Sequence, residues 1–249
     1  NDGKEGETYY PHKAWMMADG TFTKVYPNEN LVLGTQFKNE NDWDMTWNIT
    51  GGKKELTADG LKLTSNAVPQ TGMGQKLTKQ FSYGDTVDIT FLFRGTGSVE
   101  PYFLRGSGYN IVIGSTSSIS ETTWQEYRKT FAYPDREGTI LNFSILTREI
   151  GKWIEIKKES VKVEIGGKSI WTPSPEEDYE NAYPKYEGFY SDTNQVGSDN
   201  PDDYKPWTPF MGPQGGQGPK GDSAPLISLS GATQAITVDK DGKITPASS

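Results

Sequence analysis

Short segments in which apolar and polar residues alternate run through the middle of the chain. Residues 86–93 are β-branched and aromatic, which is typical of a strand in a core. Residues 153–156 and 161–165 alternate apolar with charged side chains, so each predicts a strand with one face on a core and one in water. Residues 55–63 alternate around Asp59-Gly60, which predicts a hairpin.

The pattern favours an all-β domain. No stretch shows the longer period of a substantial helix. About nine short strands, separated by regular turn signals, instead predict a two-sheet antiparallel β-sandwich over residues 30–175. Pro173 and Pro175 mark its end, because proline lacks the N–H that a central strand needs.

Segments rich in Tyr, Trp and Pro flank this domain. In residues 1–29, aromatic pairs on either side of Asp19-Gly20 predict a small hairpin or an extended arm. In residues 176–211, aromatic runs on either side of a polar loop predict two strands of a ribbon. We therefore expect an N-terminal aromatic connector arm before the sandwich and a Tyr/Trp connector ribbon after it.

The C-terminal part has a different composition. Residues 212–223 contain four Gly-X-Y triplets in register, the repeat that a collagen-like triple helix requires. Four triplets are few, so the alternatives are a homotrimer contact in the full-length protein and a flexible Gly/Pro linker. Residues 224–249 predict the first hairpin of a further β domain, turning at Asp241-Gly242. We expect both ends to be cut from a longer protein.

Charge and composition exclude several functions. The 25 Lys and Arg residues against 33 Asp and Glu give a net charge of −8, which disfavours nucleic acid and anionic lipid as partners. No apolar run approaches the roughly 18 residues that a membrane-spanning helix needs. The chain has no Cys and one His, His12, so thiol chemistry, Cys-ligated zinc and multi-His metal sites are not expected.

The aromatic residues suggest saccharide binding, because sugar sites pair an exposed ring with side chains that hydrogen-bond hydroxyls. Trp43 and Trp47 lie in a polar stretch beside Asp42 and Asp44. The alternative is that one of these tryptophans caps the end of the sandwich.

A second group of candidates surrounds the Gly-Ser-Gly at 106–108. Tyr102, Arg105 and Tyr109 could line one sheet face or its rim together with Arg94. Trp124 and Trp153 have apolar neighbours, so we expect both in the core. The candidate saccharide-binding residues are therefore Trp43, Trp47, Asp42, Asp44, Arg94, Tyr102, Arg105 and Tyr109.

The order of motifs resembles a known group of viral proteins. After the strands at 153–165 come Trp-Thr-Pro-Ser-Pro-Glu-Glu-Asp at 171–178, Tyr-Glu-Gly-Phe-Tyr-Ser-Asp at 186–192, Tyr-Lys-Pro-Trp at 204–207, and Gly-Pro-Gln at 212–214. Essentially the whole chain resembles tail and baseplate proteins of phages that infect lactococci and streptococci, in particular the accessory baseplate proteins. In these proteins a jelly-roll carbohydrate-binding module lies between Tyr/Trp connectors and Gly-X-Y segments.

The resemblance implies a non-catalytic role in host adhesion. Its implied partners are host cell-wall saccharide and other tail or baseplate proteins, and its implied location is the virion, at the outer surface of a Gram-positive host. No catalytic residue is carried over, and no cofactor is expected apart from a structural Ca²⁺, which related modules often carry. The oxygen-rich loops at 39–44 and 181–203 could hold one, although neither has EF-hand spacing.

Two other functions stay open. The chain could be an architectural spacer that joins tail parts, or a glycan-cleaving enzyme, for which two suitably spaced carboxylates suffice. No nucleophile or base constellation supports catalysis. An exposed patch of aromatic and polar residues on the sandwich would favour a binding module over a spacer.

Overall fold

The computed structural model describes residues 7–47, 50–67, 69–106, 110–116, 119–134 and 139–210, with 236–238, 240–241 and 244–246. Contacts divide the chain into two units, residues 1–213 and 214–249. The strands of the first unit are β1 (Tyr10–Met16), β2 (Phe22–Thr23), β3 (Asp44–Trp47), β4 (Gly52–Leu56), β5 (Gly60–Ser65), β6 (Thr71–Gln75), β7 (Thr86–Gly95), β8 (Glu100–Arg105), β9 (Ile111–Val112), β10 (Gln125–Ala132), β11 (Ile140–Thr147), β12 (Trp153–Lys157), β13 (Lys162–Ile165), β14 (Tyr186–Asp192) and β15 (Thr208–Pro209).

Helix is scarce in the described ranges. They contain one short α-helix, α1 (Tyr179–Ala182), and two 3₁₀ turns, Glu40–Asp42 and Pro201–Tyr204. The all-β prediction is therefore confirmed, and the strands pair antiparallel throughout the sandwich.

Two sheets make the sandwich. The six-stranded sheet has the order β10–β7–β12–β5–β4, and β13 also pairs with β7. The five-stranded sheet has the order β3–β6–β11–β8–β9. The predicted hairpin around Asp59 is present as β4 and β5, with Leu56 opposite Leu61.

Alternation along the strands builds the core. From the six-stranded sheet, Phe91, Phe93, Ile154 and Ile156 point inward and are buried. Phe103, Phe143, Ile145 and Met73 point inward from the five-stranded sheet. Successive residues of a strand point to opposite faces, so the intervening residues form the two outer faces of the sandwich. Any site on a sheet must use those outward positions.

The two connector segments form one sheet rather than two separate arms. Strand β1 pairs with β14 over seven residues, from Tyr10 opposite Asp192 to Met16 opposite Tyr186. Strands β2 and β15 complete a four-stranded sheet of order β15–β14–β1–β2. Its rings pack on one another, with Phe22 against Tyr204 and Trp207. The segments before and after the sandwich therefore form a single sheet, which we call the connector sheet.

A buried polar junction joins the chain entering the sandwich to the chain leaving it. Asn30 donates through Nδ2 to the carbonyls of Val161 and Thr172, at 2.9 and 3.0 Å. The Lys162 ammonium donates to Ser169 Oγ at 2.8 Å and lies 3.6 Å from a Glu164 carboxylate oxygen. Lys162 and Glu164 are both almost fully buried, so each depends on the other and on these hydrogen bonds.

The second unit contains the predicted hairpin, as β16 (Ile236–Val238) and β17 (Ile244–Pro246) paired antiparallel. The collagen-like segment predicted at 212–223 lies outside the described residues.

Replacing Lys162 by Met should destabilise the domain by about 3–5 kcal/mol, because it leaves the Glu164 carboxylate buried without its partner. The control is Lys168→Met, which removes the exposed Lys168–Glu126 pair and should cost less than about 1 kcal/mol. Urea unfolding followed by tryptophan fluorescence measures both. If the two substitutions lower the free energy of unfolding equally, the Lys162–Glu164 pair does not stabilise the domain more than an exposed pair does.

Burial also makes the junction sensitive to pH. Desolvation lowers the pKa of Lys162 from 10.5 to about 8 in the folded state, with Glu164 opposing the change. Between these values the unfolded chain binds the proton more strongly, so this group makes folding more favourable as pH rises through that window. From pH 7.5 to 10, the wild type should gain stability relative to Lys162→Met. If the difference between the urea midpoints of the wild type and of Lys162→Met stays constant across that range, this assignment is refuted.

Candidate functional site

Two rows of residues cross the outer face of the five-stranded sheet. The strand register aligns the first row as Asp44, Gly74, Ser144, Tyr102 and Val112. Their sequence neighbours point into the core, so these residues point outward. Asp44 and Val112 reach solvent, while Ser144 and Tyr102 are recessed between them.

The second row consists of Trp47, Gly72, Leu146 and Glu100. Trp47 is 37% exposed and stands at the edge strand β3. At the other end of the row, the Arg148 guanidinium donates to Glu100, with Nε 2.9 Å from Oε2. This hydrogen bond raises the pKa of Arg148, so the guanidinium stays charged.

Tyr102 shows that this face is concave. Its hydroxyl lies 3.1 Å from Thr46 Oγ1, although Tyr102 is on β8 and Thr46 is on β3. Three strand spacings separate them, about 14 Å on a flat sheet, which exceeds the combined reach of these two side chains. The sheet therefore curves around the Tyr102 side chain, with its outer face on the inside of the curve.

A glycine makes this crossing possible. A Cβ on Gly72 would lie 3.2 Å from both the Tyr102 hydroxyl and the Trp47 Cβ, which is tighter than ordinary contact. The absence of a side chain there lets the phenol lie across the sheet next to Trp47. The resulting surface combines an exposed indole, the Asp44 carboxylate and the Tyr102–Thr46 hydrogen-bonded pair. We call it the concave face.

The structure corrects the prediction for Trp43. Its side chain is 0% exposed and packs edge-on against Phe37 and Phe143, with centroid distances of 5.5 and 6.0 Å. Its indole N–H donates to the Leu33 carbonyl at 3.0 Å. A ring that is enclosed in this way cannot contact a saccharide. Of the two tryptophans in this stretch, Trp43 is therefore the structural one.

Asp42 has a local structural role. Its carboxylate accepts hydrogen bonds from the backbone N–H groups of Lys38 and Asn39, at 2.5 and 3.1 Å. Together with Asn39 it forms a capping box for the 3₁₀ turn at Glu40–Asp42. This use of the carboxylate explains an acidic residue here without a ligand.

The remaining candidates are divided between the two sheets. Arg105 is two residues after the core residue Phe103 on β8, so it lies on the inward side of that strand. Tyr109 lies outside the described residues. Arg94 lies on β7, in the six-stranded sheet, away from the concave face. The concave face therefore unites Trp47, Asp44 and Tyr102 from the predicted set.

Trp124 and Trp153 are not core residues, contrary to expectation. Both are half-buried, and each pairs with a cation on the outer face of the six-stranded sheet. The sequence carried the signal for Trp153: its alternation with Ile154 and Ile156 puts it on the same face as Glu155. Apolar neighbours in sequence were a poor guide, because they occupy the opposite face.

Sequence reasoning missed Thr46, Glu100, Leu146 and Arg148 on the concave face. Only strand pairing reveals that these residues from three separated segments are neighbours.

Within the described ranges, no group of three or more His, Cys, Asp or Glu side chains is arranged to hold a metal ion. The helices of that part of the chain are too short to cross a membrane.

The fold is shared with a phage protein. The chain is similar to the tripod from the baseplate of bacteriophage Tuc2009, with 20% identity, a TM-score of 0.53, and coverage of 82% of this chain and 80% of that one. This match confirms, at the level of fold, the sequence-based resemblance to phage baseplate proteins.

Other similarities are weaker. The CBM22-1 xylan-binding domain from Paenibacillus barcinonensis Xyn10C matches with 11% identity and a TM-score of 0.44, over 58% of this chain and 99% of that one. The enzymatically active domain of a bacteriophage CBA120 tailspike protein matches with 16% identity and a TM-score of 0.40, over 55% of this chain and 21% of that one. No family model and no curated protein matches the sequence.

The two tryptophans of the β3 region should respond differently to truncation. Trp43→Ala should cost about 3–5 kcal/mol, because it opens a cavity in the core. Trp47→Ala should cost less than about 1.5 kcal/mol, since the Trp47 ring is already partly in water. Urea unfolding compares them, and a larger loss for Trp47 would contradict the assignment of Trp43 to the core.

Proposed function

We propose that the chain is a non-catalytic carbohydrate-binding module of a phage tail or baseplate, and that it binds host cell-wall saccharide on the concave face. The observation that carries this proposal is the exposed Trp47 indole beside the recessed Tyr102–Thr46 pair and the Asp44 carboxylate. The fold shared with a baseplate tripod supports the tail location.

The chemistry of the concave face suits a sugar. The Trp47 ring offers an apolar surface to the C–H face of a pyranose. Asp44 can accept hydrogen bonds from hydroxyls, and the Arg148–Glu100 pair adds donors and acceptors at the far end. Trp47, Asp44 and Glu100 stand on strands, and Arg148 is held by its hydrogen bond to Glu100, so these groups are in place before a ligand arrives.

A role in adhesion follows from many weak sites acting together. A single shallow face with one exposed indole binds weakly, whereas a virion carries many copies of its tail proteins. Linked copies raise the effective concentration of sites at the cell surface, which converts weak binding into firm attachment.

The shared connector sheet supports the proposed partnership with other tail proteins. It brings the segments on both sides of the sandwich together at one place, so the module can be inserted into a longer tail protein without a break in that protein's path. A purely architectural spacer would need this sheet but would have no use for an exposed tryptophan on a concave face.

A fluorescent form of the chain should label host-type bacterial cells, and purified wall polysaccharide should compete for the label. Trp47→Ala should reduce labelling at least about tenfold, since the ring supplies the main apolar contact. The matched control is Tyr83→Ala, which removes a 77% exposed ring outside the concave face and should leave labelling unchanged.

Thermal unfolding of both variants checks that any loss is not due to misfolding. If Trp47→Ala labels cells as well as the wild type does, the concave face is not the main binding site.

A further inference from the structure

The outer face of the six-stranded sheet carries two tryptophans in positions that normally hold polar residues. On β12, Ile154 and Ile156 enter the core, so Trp153 and Glu155 point outward. Trp124 stands immediately before β10, also on the outer face, beneath the guanidinium of Arg94. Outward positions of a sandwich are usually filled by polar side chains because they face water.

Arg94 is the centre of this surface. Its Nε donates to Glu155 Oε2 at 2.7 Å, and its Nη2 donates to Asp59 Oδ2 at 2.9 Å. Its guanidinium carbon lies 4.5 Å from the centroid of the Trp124 ring. The two carboxylates raise the pKa of Arg94. Three contacts therefore hold the guanidinium in one orientation, with further N–H groups left for a ligand.

An open groove of about 650 Å³ runs beside Arg94. Trp153 and Lys62 form part of its lining, and the turn that carries Asp59 closes one side. The Lys62 ammonium lies 4.3 Å from the centre of the Trp153 ring and makes no ion pair with any described residue. Since Lys62 is held only by the ring, it can turn toward a ligand and leave the indole face open.

The acids around the groove outnumber the cations. Its lining holds two cations, Lys62 and Arg94, and three acids, Asp59, Glu121 and Glu155, which sum to a charge of −1. This surplus of acid disfavours a phosphate or carboxylate ligand, which the two cations alone would attract. Neighbouring donors and acceptors instead match vicinal hydroxyls, because each hydroxyl both donates and accepts.

We propose that this groove is a second saccharide site, which takes a neutral, hydroxyl-rich glycan. Trp153 supplies the apolar contact, and Arg94 with Asp59 and Glu155 supplies the hydrogen bonds. The inference rests on the proposed function for its class of ligand but on different residues, on the opposite sheet from the concave face. One module then engages saccharide on both sides, which lets it cross-link neighbouring chains of a wall polysaccharide.

An array of bacterial wall glycans, with neutral and phosphate-bearing members, provides the probe. The neutral glycan that the 249-residue chain binds most strongly is titrated into ¹⁵N-labelled protein, and the indole N–H signals of the seven tryptophans are followed. Trp→Phe variants assign these signals. The Trp153 and Trp124 signals should shift together, separately from that of Trp47.

Two variants test the groove directly. Trp153→Ala should weaken the affinity that the groove signals report by at least about tenfold. Arg94→Lys keeps the positive charge but loses the planar guanidinium with its several N–H donors. It should weaken the same affinity by about three- to tenfold. Affinity at the groove should change less than about twofold between 50 and 500 mM NaCl. Salt screens the attraction between charged groups, and a neutral glycan does not bind through such attraction.

The outcomes separate the two sites. If Trp47 signals shift and groove signals do not, the second site is refuted and the concave face stands. If groove signals shift and Trp47 signals do not, the groove is the binding site and the concave-face proposal fails. A groove that binds only phosphate-bearing glycans, with affinity lost at high salt, overturns the neutral-ligand inference. Failure of every glycan on the array overturns both proposals.

Discussion

The inward faces of the two sheets meet in a single apolar core, and the strand pleat sends every second side chain away from it. A register slip of one residue would exchange the two faces of a strand, so burial of the core also determines what the outer faces display. Trp153 and Trp47 are surface residues for this reason. Each belongs to a strand whose other face is committed to the core.

Curvature then makes the two outer faces different. On the five-stranded sheet the Tyr102 side chain crosses the strands to Thr46, and Gly72 leaves room for it, so that face is recessed and concave. On the six-stranded sheet, Arg94 and its two carboxylates occupy an open groove beside Trp153. Both surfaces combine an indole with fixed polar groups, but one is a shallow trough and the other is an open groove lined by charged side chains.

Buried polar groups join the chain that enters the sandwich to the chain that leaves it. Asn30 and Lys162 tie the incoming and outgoing chain to β13 with hydrogen bonds that are shielded from water. A group that loses its hydrogen bond there has no water molecule to replace the partner, so the junction tolerates substitution poorly.

The sequence by itself determined the fold class, the hairpins around Asp59 and Asp19, and the aromatic character of the connectors, because these follow from local alternation and turn chemistry. It also pointed to Trp47 and Arg94 as surface residues. Only the tertiary structure decided that Trp43 is enclosed by Phe37 and Phe143, and that Tyr102 meets Thr46. The contacts of Trp43 with Phe143 and of Tyr102 with Thr46 join segments far apart in the chain, and pairing between distant segments cannot be deduced from any local pattern.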